Sequence, residues 1–358
     1  MKPQLLFRKT PIFLGKKSLD VVAEFLIKNK PSNVYILVDG NTQKYCLPIL
    51  LTRNPDLSDA KVIKLPIGES AKSLIVFEEV CVKLLQENID RDSLIINLGG
   101  GVVCDFGGFL SSTLKRGIRF INIPTTLMAQ VDAGLGGKVG VNLNNYKNQI
   151  GLFSNPDLII IYPPFLLSLP NNEFLSAQAE IFKYGIVRNI LFWDKIISFQ
   201  FLKTKDLTSI IKDCVKIKIA IIGDDYIDLN QRRKLNFGHT ISHAIESVFL
   251  EKGHNILHGF ALSVGLICES YISHVRCGLS LEKLNVITSN LLDNFGVIQL
   301  NNINDELILK YIYSDKKNLK GMVFCTLIND IGSALVNCLI TSEDILSSLE
   351  FYREKCLA

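Results

Sequence analysis

Four of the five histidines of this chain lie between residues 239 and 258. His239 and His243 are four residues apart, so a helix would bring both side chains to one face. Imidazole is a common ligand of zinc and related divalent metals, and a catalytic zinc site takes three protein ligands and keeps one position open. A His-x3-His pair also arises by chance on a polar helix face. The pair alone leaves both interpretations open, and the nearby Arg232, Asn236 and His258 favour a metal site.

A run of three glycines, residues 99–101, follows a strand-like segment and precedes a helix-like one. Consecutive glycines let backbone amides approach a pyrophosphate, and a helix N-terminus favours its negative charge. The run lacks the spacing of the usual GxGxxG dinucleotide motif. It therefore predicts either a nucleotide site or a close packing turn between strand and helix. A second glycine-rich segment, 131–138, ends in Lys138, which a solvated surface would explain equally well.

The first part of the chain has the pattern of an α/β protein. Between residues 32 and 123, short β-branched runs alternate with amphipathic stretches, which predicts a parallel sheet with helices on both faces. Ligands of such sheets bind at the carboxyl ends of the strands, where the polar and glycine-rich turns fall. The predicted strands are 33–38, 93–98, 120–123 and 158–161, and the predicted amphipathic helix is 74–88.

The pattern changes near residues 162–164, a Tyr-Pro-Pro sequence. Beyond it, apolar residues recur mainly at helical spacing. The predicted helices are 175–190, 207–222, 236–250, 260–275 and 280–295, and a small hairpin is predicted from 323–328 and 333–336. We therefore predict two domains, residues 1–164 and residues 165–358, as the length of the chain also indicates.

The composition excludes several classes of protein. Of the 358 residues, 48% are hydrophobic and 21% are charged, which is typical of a folded soluble protein. A net charge of +4 without a Lys/Arg run predicts no nucleic-acid partner. No apolar run reaches the length of a bilayer span, which predicts no membrane partner. Nine cysteines without CxxC spacing, and no secretory signal, predict reduced thiols in a cytoplasmic protein.

Taken together, a series of ordered motifs resembles the 3-dehydroquinate synthase family of sugar-phosphate cyclases, from about Tyr35 to Gly332. The motifs lie at 68–72, 99–105, 116–117, 124–138, 147–151, 179–185, 232–243, 257–259 and 315–317. The resemblance implies an α/β plus α fold. In it, a Rossmann-like parallel-sheet NAD domain precedes a helical metal-binding domain, with the active site in the cleft between them.

The resemblance also implies which residues bind the metal. The family's ligands fall on Glu180, His239 and His258, and His243 then faces the site without being a ligand. One carboxylate and two imidazoles form a catalytic set for zinc or cobalt. In this respect the resemblance overrules the spacing argument, which pairs His239 with His243.

The other site residues that the resemblance implies fall into two groups. The NAD contacts are Asp39, Asn41, Glu69, Lys72, Gly100, Gly101, Asp105, Thr125, Thr126, Lys138, Lys147 and Ser168. The substrate carries a carboxylate and a phosphate and needs several cations around it. Its implied contacts and catalytic residues are Arg116, Asp132, Lys138, Lys147, Asn148, Lys183, Lys218, Arg232, Asn236, His243 and one of Lys316 and Lys317. For each lysine alone, a solvated surface position is the ordinary alternative.

The activity implied by the resemblance is that of an NAD- and metal-dependent carbon–oxygen lyase of the shikimate pathway, which supplies aromatic amino-acid biosynthesis. It would convert the small-molecule sugar phosphate 3-deoxy-D-arabino-heptulosonate 7-phosphate into 3-dehydroquinate and phosphate. NAD would be reduced and reoxidised within each cycle. A homodimer is implied as well. A cyclase acting on another sugar phosphate, an NAD-dependent polyol dehydrogenase and a degenerate paralogue without catalysis remain alternatives.

Four positions depart from the family pattern. Gly134 replaces a serine, Ala177 and Asn230 replace glycines, and Phe260 replaces a glutamate just after the last implied metal ligand. A carboxylate next to a metal site often orients a histidine ligand. We therefore expect Phe260 to weaken metal binding or activity, and we expect modest packing changes to absorb the other three.

Overall fold

The computed structural model describes residues 1–144, 146–199, 201, 206–300, 303–314 and 322–357. Contacts divide the chain into two compact units, Met1–Pro170 with Phe201–Ile219 and Asn171–Gln200 with Ala220–Ala358. The predicted domain boundary after residue 164 stays a prediction, because a division by contacts does not test independent folding. Much of the helix predicted at 207–222 belongs to the first unit, although the sequence pattern placed it in the helical half.

A seven-stranded sheet forms the centre of the first unit. The strands of this unit are β1 (Leu5–Phe7), β2 (Thr10–Leu14), β3 (Val34–Val38), β4 (Lys61–Lys64), β5 (Leu94–Gly99), β6 (Arg119–Pro124), β7 (Lys138–Leu143), β8 (Tyr146–Phe153) and β9 (Leu158–Ile161). The order across the sheet is β1-β2-β9-β6-β5-β3-β4, and every neighbouring pair except β1 with β2 is parallel. Strands β7 and β8 form a separate antiparallel hairpin. The four predicted strands are confirmed as β3, β5, β6 and β9.

Helices cover both faces of this sheet. Successive residues of a strand point to opposite faces, so each strand contributes side chains to two buried cores. Ile36 and Ile96 lie in one buried core, whereas their neighbours Tyr35 and Ile95 lie in the other. The helices of this part of the chain are α1 (Val21–Asn29), α2 (Gly40–Tyr45), α3 (Leu47–Arg53), α4 (Leu74–Gln86) and α5 (Gly101–Thr113). Helices α2 and α5 begin at the carboxyl ends of β3 and β5, so the turns at these strand ends are available to a ligand.

The second unit is mainly helical. Its helices, with α8 starting in the first unit, are α6 (Asn171–Arg188), α7 (Ile190–Ile197), α8 (Thr208–Asp224), α9 (His239–Glu251), α10 (His258–Cys277), α11 (Leu281–Phe295), α12 (Asp305–Ser314) and α13 (Ser342–Leu357). Strands β10 (Val323–Asp330) and β11 (Ser333–Ile340) form the predicted hairpin. The predicted fold class, α/β followed by α, is confirmed. Among the described residues, no helix combines the length and apolar character needed to cross a membrane.

Helix α10 lies at the centre of the second unit and packs against α6, α9, α11 and α13. Two of its glycines permit very close approach to other backbone. A Cβ atom at Gly259 would lie 1.7 Å from the carbonyl oxygen of Ser176, and one at Gly265 would lie 2.0 Å from that of Gly238. Because Ser176 belongs to α6 and Gly238 precedes α9, these contacts fix the first turns of α10 against both helices.

Candidate active site

Three potential metal ligands meet where α6, α9 and α10 converge. Glu180 lies in the middle of α6, while His239 and His258 are the first residues of α9 and α10. Their ligand atoms all lie within 4.8 Å of one another. The Nε2 atom of each imidazole lies 3.3 Å from the same Glu180 Oε1 atom. The structure thus brings together the three residues that the family resemblance selected, and His243 is not among them.

The position of His239 depends on a buried carboxylate that sequence reasoning missed. Gly238, just before α9, has a left-handed backbone with φ of 82°. Its amide nitrogen donates to Glu269 Oε2 at 2.6 Å, and that of Thr240 donates to Oε1 at 3.0 Å. Glu269 lies in α10 and is fully buried. It satisfies amide groups that the first turn of α9 leaves without helical partners.

Each of the two imidazoles also has its other ring nitrogen engaged. Nδ1 of His239 lies 3.2 Å from the carbonyl oxygen of Phe237, and Nδ1 of His258 lies 2.6 Å from Oε1 of Glu246. A carbonyl oxygen only accepts, so Nδ1 of His239 carries the hydrogen in that bond. An Nδ1 hydrogen held in this way leaves Nε2, the atom that faces Glu180, as the nitrogen for a metal.

The charge at Glu180 is balanced by a second buried side chain. Lys183, one helical turn later, forms an ion pair with Oε2 of Glu180, and both side chains are almost fully buried. Burial alone would raise the pKa of Glu180, but Lys183 and His239 hold it well below its ordinary value. Burial and the charge of Lys183 lower the pKa of His239, which favours the neutral ligand form. Burial also lowers the pKa of His258, but hydrogen bonds to Glu180 and Glu246 outweigh it and raise the pKa to about 9.

A different polar cluster lies in the first unit. The buried Lys72 donates to Asp105 Oδ2 at 2.9 Å and to Asn148 Oδ1 at 2.5 Å. Glu69 lies 4.0 Å from the same ammonium. Burial raises the pKa of Asp105, although Lys72 opposes the shift. Four of the implied NAD or substrate contacts therefore come together here.

The other implied NAD contacts of this unit lie mainly at the ends of strands. Gly100 and Gly101 start α5, directly after β5, and the amide nitrogen of Thr125, after β6, donates to the carbonyl of Gly99 at 2.9 Å. Thr126 accepts from the amide of Ala129. Three more are Asp39, which caps α2, Asn41 in the first turn of that helix, and Ser168, whose hydroxyl donates to the carbonyl of Phe165.

The implied substrate contacts of the first unit include one further ion pair, in which Lys218 is buried and Asp132 is partly exposed. Lys218 donates to Oδ1 of Asp132 at 2.8 Å and to its carbonyl oxygen at 2.6 Å. Lys138 and Lys147 are exposed on the β7–β8 hairpin, and Arg116 is exposed in the turn after α5.

In the second unit, Arg232 is buried and donates to the carbonyl of Tyr226 at 2.7 Å. Asn236 ends the same short 3-10 turn, shortly before α9. The ring of His243 is exposed, with its centroid 5.2 Å from that of His239. Lys316 and Lys317 lie outside the described residues. The convergence of all these residues on one cleft stays a prediction.

The structure gives physical reasons for three of the four departures from the family pattern. A Cβ atom at Gly134 would lie 2.7 Å from the carbonyl oxygen of Ala129, so a serine does not fit this backbone. Asn230 has a negative φ of −148°, which does not require glycine. Phe260 packs edge-on against Phe295 at 6.3 Å. Nothing in the structure explains why alanine rather than glycine stands at position 177.

Comparison with known proteins agrees with this fold. Two solved structures share the fold over nearly the whole chain. One is a 2-deoxy-scyllo-inosose synthase complexed with carbaglucose-6-phosphate, NAD+ and Co2+ (TM-score 0.84, 20% identity, covering 99% of this chain and 100% of that one). The other is ValA, a 2-epi-5-epi-valiolone synthase from Streptomyces hygroscopicus with NAD+ and Zn2+ bound (TM-score 0.83, 23% identity, covering 99% of each chain).

Sequence comparison then identifies the family. Residues 62–176 match the model of the 3-dehydroquinate synthase N-terminal region, and residues 177–318 match that of the C-terminal region. The 3-dehydroquinate synthase of Parabacteroides distasonis is 37% identical over 333 residues, which cover 92% of this chain and 94% of that protein. The one of Thermodesulfovibrio yellowstonii is 36% identical over 352 residues, covering 94% and 96%. This chain belongs to the 3-dehydroquinate synthase family.

Proposed function

We propose that this protein is a 3-dehydroquinate synthase, which converts 3-deoxy-D-arabino-heptulosonate 7-phosphate into 3-dehydroquinate and inorganic phosphate. Its family membership supports the reaction. The observation that carries the proposal is the cluster of Glu180, His239 and His258, with both Nδ1 atoms engaged and both Nε2 atoms directed at one carboxylate oxygen. An NAD domain over residues 1–164 and a metal-binding domain over residues 165–358 form part of this proposal.

The geometry of the cluster fits a divalent metal. Two ligands that each lie about 2.0–2.1 Å from one tetrahedral zinc are separated from each other by about 3.3–3.4 Å. The separation from Glu180 Oε1 to each Nε2 atom is 3.3 Å. We propose that Glu180, His239 and His258 hold zinc or cobalt. When bound, this metal acts as a Lewis acid on a substrate hydroxyl group.

The first unit offers a fitting site for NAD. Helix α5 begins at Gly101, and its N-cap, Gly100, has no side chain to occupy the first amide groups of the helix. Such a helix N-terminus suits a pyrophosphate. Lys72 and Asp105 lie together beside this turn and provide a cation and a hydrogen-bonding carboxyl. When bound, NAD accepts a hydride from the substrate and later returns it.

Three buried cations bind the substrate in this proposal. Lys183, Lys218 and Arg232 are each at least 96% buried, and each ends at a polar partner rather than in solvent. We assign them to the phosphate and carboxylate of the substrate, whose binding would hold the reacting groups in register. We assign proton transfer with the substrate to the exposed imidazole of His243.

The test is phosphate release from the heptulosonate phosphate, with zinc or cobalt present and NAD far below the substrate concentration. We expect phosphate to exceed the total NAD many times, without accumulation of NADH. Net NADH formation equal to substrate loss would indicate a polyol dehydrogenase instead. Phosphate release only from another sugar phosphate would indicate a related cyclase. Metal and NAD binding without any reaction would indicate a paralogue that has lost catalysis.

We also propose that the protein is a cytoplasmic homodimer. None of its nine cysteines, all of which lie in the described residues, forms a disulfide, as in a reducing compartment. The first unit exposes Tyr45, Ile49 and Leu167, which line one apolar surface groove, and such a patch favours a protein partner. Light scattering should give twice the mass of one chain, and Leu167→Asp should shift the protein toward the monomer.

A further inference from the structure

We propose that Glu246 is a positioning residue for His258. The inference rests on the proposed metal site. Glu246 lies in α9, and its Oε1 atom is 2.6 Å from Nδ1 of His258 at the start of α10. The opposite ring nitrogen of His258 lies 3.3 Å from Glu180. One hydrogen bond therefore fixes both the rotation of the ring and the nitrogen that carries the hydrogen.

His258 needs this support more than His239 does. Nδ1 of His239 is held by the backbone carbonyl of Phe237, two residues away in the same turn, and its side chain is 12% exposed. His258 is the first residue of its helix, and its side chain is 30% exposed. Its orientation is set from another helix, through the side chain of Glu246, which is 13% exposed. A substitution at position 246 therefore removes the partner of Nδ1 of His258, whereas Nδ1 of His239 keeps its backbone partner.

The side chain at position 260, Phe260, takes part in apolar packing. The ring of Phe260 packs at right angles to Phe295, with 6.3 Å between centroids. Phe295 in turn packs against Phe182 at 5.9 Å, and Phe182 packs against Trp193 at 5.9 Å. These four residues form an aromatic cluster that joins α6, α7, α10 and α11. A carboxylate in place of Phe260 would face apolar rings, which is unfavourable for a charge.

His243, Glu246 and His258 form a second group of potential metal ligands, because their ligand atoms also lie within 4.8 Å of one another. The distance between Glu246 and His258 argues against a metal there. Nδ1 of His258 and Oε1 of Glu246 are 2.6 Å apart, whereas two ligands of one zinc lie about 3.3–3.4 Å apart. The shorter distance is that of a charge-assisted hydrogen bond. Glu246 thus acts on the metal through His258.

The experiment is a cobalt titration of the metal-free protein, followed by visible absorption, with no substrate or NAD. We expect one cobalt per chain for the wild type. Glu246→Ala should bind cobalt about 10–100-fold more weakly, as for other residues that orient metal ligands. Glu246→Gln keeps an acceptor for the ring and should lose less. Glu251→Gln removes the same charge from the exposed end of the same helix and should bind as the wild type does.

Unfolding of the metal-free variants separates positioning from a structural role. A positioning residue changes the cobalt dissociation constant and leaves metal-free unfolding close to that of Glu251→Gln. Wild-type affinity in both Glu246 variants, with binding lost in His239→Ala, would overturn the inference and leave the proposed function standing. Binding of two cobalt ions per chain would overturn it in favour of the second site. Failure of the wild type to bind cobalt would overturn the metal site of the proposed function itself.

Discussion

The two units hold their charged side chains by different means. In the first unit, Lys72, Asp105 and Asn148 form a cluster beside a glycine turn that follows a strand. In the second unit, Glu180, His239 and His258 project from three helices, and no two of them share a helix. The first cluster depends on a local turn of the backbone. The second depends on how closely the helices approach one another.

The pKa values of the carboxylates in the two clusters are shifted in opposite directions. Burial raises the pKa of Asp105, and the nearby Lys72 does not fully offset it. Burial would also raise the pKa of Glu180, but Lys183 and the imidazole of His239 outweigh it and hold the pKa well below its ordinary value. A carboxyl group must be ionised to act as a metal ligand. The difference therefore suits Glu180 to a cation and Asp105 to hydrogen bonding.

The largest effect is expected from His239→Ala, which should separate the two clusters. Loss of one of three ligands should abolish stoichiometric metal binding and reduce turnover to background. NAD affinity, measured by calorimetry, should remain that of the wild type, because the first unit is unchanged. Stoichiometric metal in this variant would contradict the ligand assignment, and lost NAD binding would show that the clusters are not independent.

The next effect should come from Gly259→Ala, which tests the dependence of the second cluster on helix approach. Its Cβ would lie 1.7 Å from the carbonyl oxygen of Ser176, so α10 must move away from α6. We expect a loss of about 3 kcal/mol or more in urea unfolding, together with weaker metal binding. Gly223→Ala, with nothing within 4 Å of the new methyl group, is the matched control. Equal stability of the two variants would refute the close-contact argument.

A smaller effect is expected from Lys72→Met in the first unit. The substitution removes the partner of Asp105 and the donor to Asn148. Hydrogen bonds to charged groups contribute about 1.5–3 kcal/mol, so stability should fall by that order and NAD affinity should fall as well. Metal binding should not change. Lys83→Met, an exposed lysine of α4, should leave all three quantities unchanged, and a matching loss of NAD affinity there would refute a specific role of Lys72.

The smallest effect concerns an ion pair outside both clusters. Burial would raise the pKa of Asp344, but hydrogen bonds from Arg276 and Thr341 hold it below its ordinary value. A depressed pKa stabilises the fold above the unfolded value near 3.8, and this contribution is lost as the pH falls through the lower folded pKa. The melting temperature of Asp344→Asn should therefore be lower than that of the wild type at pH 6, and the difference should shrink below pH 4. A constant difference would contradict the direction of the shift.

The sequence predicted best what depends on local pattern. Buried apolar runs gave strands such as Leu158–Ile161, and helical spacing gave α4 and most helices of the second unit. The β7–β8 hairpin was missed, because its glycines and polar residues interrupt the alternation expected of a strand. Strands β1 and β2 were missed as well, since charged residues lie in the turn between them.

The site shows the same limit. Spacing alone paired His239 with His243, and only the family motifs selected Glu180 and His258. Neither the histidine spacing nor the family motifs indicated Glu246, although it lies two helical turns after His239. Its contact with His258 exists only once α9 and α10 pack together. The expectation that Phe260 weakens metal binding or activity stays a prediction.

The most direct test of the account is anomalous diffraction at the cobalt or zinc edge from crystals of the metal-loaded protein. We expect one strong peak per chain, within bonding distance of Glu180 Oε1 and of Nε2 of both His239 and His258, with Glu246 still hydrogen-bonded to Nδ1 of His258. A peak between His243 and Glu246, or bonds from the metal to Nδ1 of His258, would contradict the assignment of this cluster.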